Sequence, residues 1–253
     1  MFLEATIFHS YSQLLLAGLI LFLAQTIYVL FGFGLGLIAV GLLALFIHPI
    51  THVIVLLLFV ALPAEFYVIY KSWRNISWRG LLILCSGVVV GTIAGTFILK
   101  NGNPEFILTI LAWFLIGAGL IFFISQTQKT VRWPSWSPPF IGLVAGLLAG
   151  MFGTGGPPLI FYYQLSGLKK EAFRGSLMTI FALMAFIRLP SYLLAGLVTP
   201  PRVISALYVF PAIILGIWLG NRIHVRISEE GFRRMVSIGL ILIGINLLIK
   251  HLL

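Results

Sequence analysis

The chain has 253 residues, 60% of them hydrophobic and only 9% charged, with a net charge of +10 and a mean hydropathy of +1.12. A soluble domain carries about 25% charged residues, and a fold of this length could not hide so much apolar surface. A soluble enzyme, a disordered chain and a disulfide-built scaffold are therefore excluded, and the composition is that of an integral membrane protein made mostly of spanning helices. The single cysteine, Cys85, lies in an apolar run and leaves no disulfide framework or thiolate metal cage.

The opening stretch MFLEATIFHSYSQ carries Glu4 and no Lys or Arg, so it lacks the basic start of a signal peptide. Ten apolar segments follow. The first covers residues 12–31 and ends at the glycine cluster GFGLG, after which the second runs to 47. The third covers 51–70, the fourth 80–99 after the basic loop KSWRNISWR, and the fifth 106–125 after the turn KNGNPE. The longest polar stretch, QTQKTVRWPSWSPP, marks the middle of the chain. The sixth segment covers 140–151 and ends at FGTGGPP. The seventh is short, 159–165. The eighth covers 176–198, the ninth 203–221, and the tenth runs from 235 to the end.

The two halves repeat this order. FGFGLG at 31–36 matches FGTGGP at 152–157, an offset of 121. Gly91 and Gly95 match Gly216 and Gly220, an offset of 125. A slowly drifting offset is what loop insertions leave in a duplicated fold. Basic loop residues then set orientation, because Lys and Arg accumulate in cytoplasmic loops. Twelve of the sixteen Lys and Arg fall in the loops 71–79, 126–138, 168–175 and 222–234, which can share one side. Both termini then face the other side. The expected fold is an all-α polytopic membrane protein of two inverted-topology repeats, with eight spanning helices plus two re-entrant or broken hairpins, or ten spans. Residues 1–125 form the first membrane repeat, 126–138 a cytoplasmic linker and 139–253 the second repeat. The net charge is explained by these loops and does not point to nucleic acid.

Each glycine cluster interrupts a helix within apolar sequence. Glycine permits positive φ and close backbone approach, and proline suits the first turn of a new helix. Each break should therefore present a helix N-terminus, whose free N–H groups and positive partial charge suit an anion. Such irregular backbone survives in hydrocarbon only against protein or water. The alternative is that the glycines serve packing, as Gly87/Gly91/Gly95 and Gly142/Gly146/Gly150 do by their small-xxx-small spacing.

Two halves that each open with a glycine-rich break, GFGLGLIAV and GMFGTGGPPLIF, together with EAFRGSLMTIFALMAFIRLPSYLLAGLVT after the second break, resemble the sulfite exporter TauE/SafE family, also called the toluene-sulfonate uptake permease family. The resemblance covers nearly the whole chain. It implies an inner-membrane permease for sulfur-containing anions such as sulfite and organosulfonates. Residue by residue it points to Gly32, Gly34 and Gly36, and to Gly153, Thr154, Gly155, Gly156 and Pro157. The chain departs from a symmetric family pattern at Leu35 and Thr154, where glycine is frequent elsewhere.

Among single residues, Arg188 stands out. A guanidinium within a span costs several kcal/mol unless paired or hydrated, and its planar fork matches oxyanions. It reads either as a substrate clamp or as the structural partner of Glu65, the one carboxylate inside a span. Glu65 in turn reads as a proton carrier or as an interfacial, Arg-paired carboxylate. Gln25 and Gln164 flank the breaks and could bind substrate or glue helices together. His48 and His52 have i, i+4 spacing but no further ligand beside them, so no metal is expected. No cofactor is expected either.

Three functions compete. The first is a secondary transporter for small anions, with protons as a further partner if Glu65 titrates, and with homo-oligomerisation left open. The second, an intramembrane enzyme, lacks a nucleophile–base pair, a carboxylate pair or a metal site. The third is an anion channel or a non-transporting scaffold.

Overall fold

The computed structural model describes residues 5–76, 78–124, 133–168, 170–222 and 229–252. Ten α-helices run through them, in order α1 (Tyr11–Phe31), α2 (Leu35–Leu43), α3 (Ile50–Ser72), α4 (Trp78–Asn101), α5 (Pro104–Ile124), α6 (Ser137–Phe152), α7 (Gly156–Leu165), α8 (Lys170–Leu194), α9 (Pro200–Arg222) and α10 (Glu229–Leu252). One 3-10 turn, Trp73–Asn75, follows α3. Among the described residues there is no strand. All ten expected segments exist as helices, but several boundaries move. Lys71, Arg79, Arg174, Arg222 and Arg234, placed in loops by their charge, lie inside helix ends. Long cationic side chains can reach from there to a polar boundary. Most of the expected 126–138 linker, with Lys129 and Arg132, falls outside the described residues, as do Lys169 and Arg226.

Among the described residues six helices are long and apolar enough to cross a membrane: Tyr11–Phe31, Ile50–Lys71, Gly80–Asn101, Pro104–Phe123, Ala172–Leu194 and Pro200–Arg222. Their outward faces are apolar. Leu15, Leu19 and Leu23 of α1, Val90, Ile93 and Phe97 of α4, and Leu207, Ile214 and Leu215 of α9 are all exposed. A belt of that kind is stable only in contact with lipid tails. This is a multi-pass membrane protein. By contrast α2 and α7 have nine and ten residues, or roughly 15 Å of helix at 1.5 Å per residue. That is about half the hydrocarbon thickness, so neither crosses it alone. The α1–α2 pair turns back on itself: Gln13 near the start of α1 donates from Nε2 to the Phe46 carbonyl just beyond α2 (2.8 Å).

The helices pack in pairs. α4 lies on α6, α1 on α9, α5 on α10 and α3 on α8. Exchanging α1 to α5 with α6 to α10 maps these pairs onto themselves or onto one another. In the α4–α6 seam both helices are glycine-lined: a Cβ at Gly87, Gly91 or Gly95 would strike the carbonyls of Pro139, Leu143 and Leu147, and one at Gly142, Gly146 or Gly150 those of Leu84, Val88 and Thr92. Such contact lets the backbones themselves meet. The α1–α9 seam is one-sided. Gly216 and Gly220 of α9 receive Gln25 and Val29 of α1 as knobs.

Side-chain ties identify the two ends of the bundle. At one end Ile7 N–H donates to Ser205 Oγ (2.9 Å), and Arg202 donates through Nε to His52 Nδ1 (2.8 Å), through Nη2 to Thr51 Oγ1 (2.8 Å) and through Nη1 to the Leu197 carbonyl. At the other, Lys71 Nζ donates to Asn221 Oδ1 (3.0 Å).

Candidate functional site

Two helix ends of the same design face each other across the bundle. α1 stops at Gly32, whose φ of +84° puts it in the left-handed region and whose N–H donates to the Tyr28 carbonyl (2.9 Å). α6 stops at Gly153, with φ +71° and its N–H on the Ala149 carbonyl (2.9 Å). Left-handed glycine caps of this kind end a helix without strain. After each stop the chain makes a short bend and starts a half-length helix, α2 from the cap Gly34 (φ +108°) and α7 from the cap Gly155.

The breaks touch. A Cβ on Gly36 would sit 2.6 Å from Thr154 Cβ and 2.8 Å from its Oγ1, so only glycine lets the first turn of α2 lie on the second bend. Between them is a cleft lined by Tyr28, Phe33 to Leu37, Leu57, Ala61, Glu65, Ala149, Gly153 to Gly156, Phe181, Met184 and Arg188. The breaks thus supply backbone, α3 and α8 supply the two charged groups, and aromatic and aliphatic side chains close the walls.

The first intrahelical bond of α2 is donated by Ile38 to the Gly34 carbonyl (2.9 Å). The N–H groups of Leu35, Gly36 and Leu37 precede it and have no partner within the helix. They belong to residues that line the cleft. α7 differs, because Pro157 and Pro158 in its first turn carry no N–H.

Arg188 is 3% exposed, and its Nε and Nη1 are buried with no hydrogen-bond partner. Its Nη1 lies 3.2 Å from the place a Cβ on Gly153 would take, beside the C-terminal end of α6, where partial negative charge suits a cation. Tyr192, one turn further along α8, donates to the Gly150 carbonyl in the same helix end (2.8 Å). Glu65 is 1% exposed. Its Oε1 accepts from Tyr28 Oη (2.9 Å), and its Oε2 is buried with no partner. Among the described residues no ion pair joins Glu65 to Arg188. Their charges still act on each other across the cleft. An unsatisfied buried guanidinium is costly, and each hydrogen bond it forms to a charged partner would be worth about 1.5–3 kcal/mol. The arrangement is chemically suited to an oxyanion.

Of the residues singled out in the sequence, Gly34, Gly36, Gly153, Thr154, Gly155, Gly156, Arg188 and Glu65 line the cleft together. Four do not. Gly32 sits behind it, where a Cβ would come 3.0 Å from Arg174 Cγ. The Arg174 guanidinium donates to the Val29 carbonyl at the end of α1. Pro157 is buried in the first turn of α7 outside the lining. Gln25 is fully buried in the α1–α9 seam with neither amide atom hydrogen-bonded. Gln164 is exposed near the end of α7. Tyr28, Phe33 and Phe181 line the cleft and were not expected there. A signal existed for Tyr28, which stands four residues before Gly32 and so bonds the cap itself. His52 accepts from Arg202, and among the described residues no group of three His, Cys, Asp or Glu could hold a metal.

Apolar helices long enough to span a bilayer, packed around a buried cleft at two helix breaks, are the features of a multi-pass membrane protein. The chain belongs to the sulfite exporter TauE/SafE family, whose model matches residues 17–247. It is 25% identical over 222 residues to the "Probable sulfite/organosulfonate exporter TauE" of Cupriavidus necator, covering 86% of this chain and 87% of that protein. It is 23% identical over 177 residues to the "Probable inner membrane transporter protein TsaS" of Comamonas testosteroni, covering 70% and 74%. Both relatives are named as transport proteins. No solved structure matches the chain.

Proposed function

We propose that this chain is a secondary permease for small anions, sulfur oxyanions or organosulfonates, which binds them in the cleft between the two helix breaks and moves them by alternating access. The observation that carries this reading is Arg188, buried with two guanidinium nitrogens unsatisfied and aimed at two glycine breaks. The names of the relatives supply the chemical class of the anion.

The architecture that suits this function is a pair of inverted repeats, 1–125 and 139–253, joined by a cytoplasmic linker at 126–138, with both termini outside a cell membrane and the α1–α2 and α6–α7 pairs acting as re-entrant hairpins. The matched glycine caps, the exchange-symmetric helix pairs and the Gln13 tie support it. Gly34, Gly36, Thr154, Gly155 and Gly156 form the backbone bed, and Arg188 grips the oxyanion.

The test is uptake of radiolabelled sulfite into liposomes holding the purified protein, with sulfate, thiosulfate, ethanesulfonate, acetate and an uncharged solute as competitors. The expected result is saturable uptake competed by sulfur anions alone. Unsaturable flux would make the protein a channel, and no flux of any anion from folded protein would end the transport reading.

A further inference from the structure

Glu65 stands at the position of the first repeat that corresponds to Arg188 in the second, offset by 123 residues. Each lies beside the last turn of the helix that precedes its glycine break: Arg188 near Gly153 at the end of α6, Glu65 on Tyr28 at the end of α1. The two environments match and the charges are opposite. A helix C-terminus stabilises a cation and offers nothing to an anion. Tyr28 gives Glu65 its one hydrogen bond, and the second carboxylate oxygen is bare and buried. Among the described residues no neighbouring cation is hydrogen-bonded to Glu65. α1 brings Tyr28, α8 brings Arg188 and Tyr192, and α2 has no titratable side chain. Arg174 of α8 donates to the Val29 carbonyl, Arg202 of α9 is held by His52 and Thr51, Arg222 stacks on Trp218, Tyr208 is exposed, and Arg74 in the 3-10 turn is exposed.

With Arg188 and Glu65 both ionised, the empty cleft is neutral. An entering monoanion would leave it with net negative charge in a medium of low dielectric, where like charges repel over the whole width of the cleft. A proton on Glu65 restores neutrality, and the bare oxygen then carries an O–H that can donate to the anion.

We propose that Glu65 is a proton-binding site of the transport cycle: the anion enters only when Glu65 is protonated, and the proton crosses with it, one for each monoanion. This rests on the permease reading above and adds the co-transported ion. Nothing is bonded or broken but the O–H at Glu65, which forms from a proton on the loading side and dissociates on the other.

The experiment uses the full-length protein in liposomes with an internal pH dye. Sulfite and ethanesulfonate exchange and net uptake are compared between the wild type and Glu65→Gln. Sulfite carries a titratable proton of its own, which cancels in that comparison. Expected for the wild type is a proton entering with each anion, exchange that slows as pH rises, and ethanesulfonate uptake indifferent to an imposed potassium–valinomycin potential. Expected for Glu65→Gln is loss of that proton, with exchange whose pH dependence is gone. Should the variant not fold, the potential measurement on the wild type decides alone. Wild-type uptake that responds to the potential and moves no proton overturns the proposal and leaves the permease standing. No exchange of either anion overturns both.

Discussion

The two helix breaks share a stop and differ in their restart. Gly32 and Gly153 end their helices with the same left-handed cap and the same N–H bond four residues back. α2 then begins with Leu35, Gly36 and Leu37, which keep their N–H groups, while α7 begins with Pro157 and Pro158, which have none. Free backbone donors are therefore found chiefly at the first break. The second break supplies shape, through Thr154 against Gly36 and Gly155 against Ala145, and it leans on Arg188 for charge. In the proposed permease the first break would be the donor side and the second the cation side.

The largest expected effect comes from removing the cation side. Arg188→Ala should lower sulfite uptake by about 100-fold or more, since two charge-assisted hydrogen bonds are lost. Arg188→Lys should recover only part of it, because an ammonium cannot present the planar fork. Normal elution in detergent on gel filtration must accompany both; full uptake by folded Arg188→Ala would remove the residue from the site.

The contact between the two sides comes next. Gly36→Ala puts a methyl where Thr154 already is, and uptake should fall by roughly tenfold, the order of effect of an overpacked contact of 1–3 kcal/mol. Adding Thr154→Gly should restore most of it. A double variant as impaired as the single one would mean that the breaks do not meet there.

Smaller still, Pro157→Ala makes the second break resemble the first by returning one N–H to α7. Half-saturation for sulfite should tighten by about two- to fivefold, the scale of a helix-terminus contact of about 0.3–1 kcal/mol. Weaker binding would show that proline holds the bend in its working shape. Gln164→Ala, on an exposed side chain, should leave the uptake rate where it was, within an effect of about 0.5 kcal/mol on stability.

Much of this architecture is legible residue by residue. The apolar runs mark the helices, and the offset of 121 between the glycine clusters marks the matched caps. Gly34, Gly36 and Gly153 to Gly156 stand out because glycine and proline in the middle of apolar sequence must interrupt a helix, and Arg188 and Glu65 because charge inside a span is costly. The two glutamines misled. Gln25 is polar, buried and close in sequence to the first break, yet it packs on Gly216 in the α9 seam, while Tyr28, one turn on, reaches Glu65. No local pattern separates a seam-facing from a cleft-facing position on a helix that is apolar on nearly every side.

By itself, then, the sequence determined that this protein is helical and membrane-embedded, where its helices break, and that Glu65 and Arg188 are buried within helices. Those properties follow from local chemistry: transfer into lipid, glycine's freedom of φ and the cost of an intramembrane ion. Only the tertiary structure decided that Gly36 meets Thr154, that Tyr28 holds Glu65, and that Arg188 stands apart from Glu65 with two of its nitrogens unsatisfied. Those depend on how α1, α3, α6 and α8 are rotated and set against one another, and that is settled by close packing of distant parts of the chain.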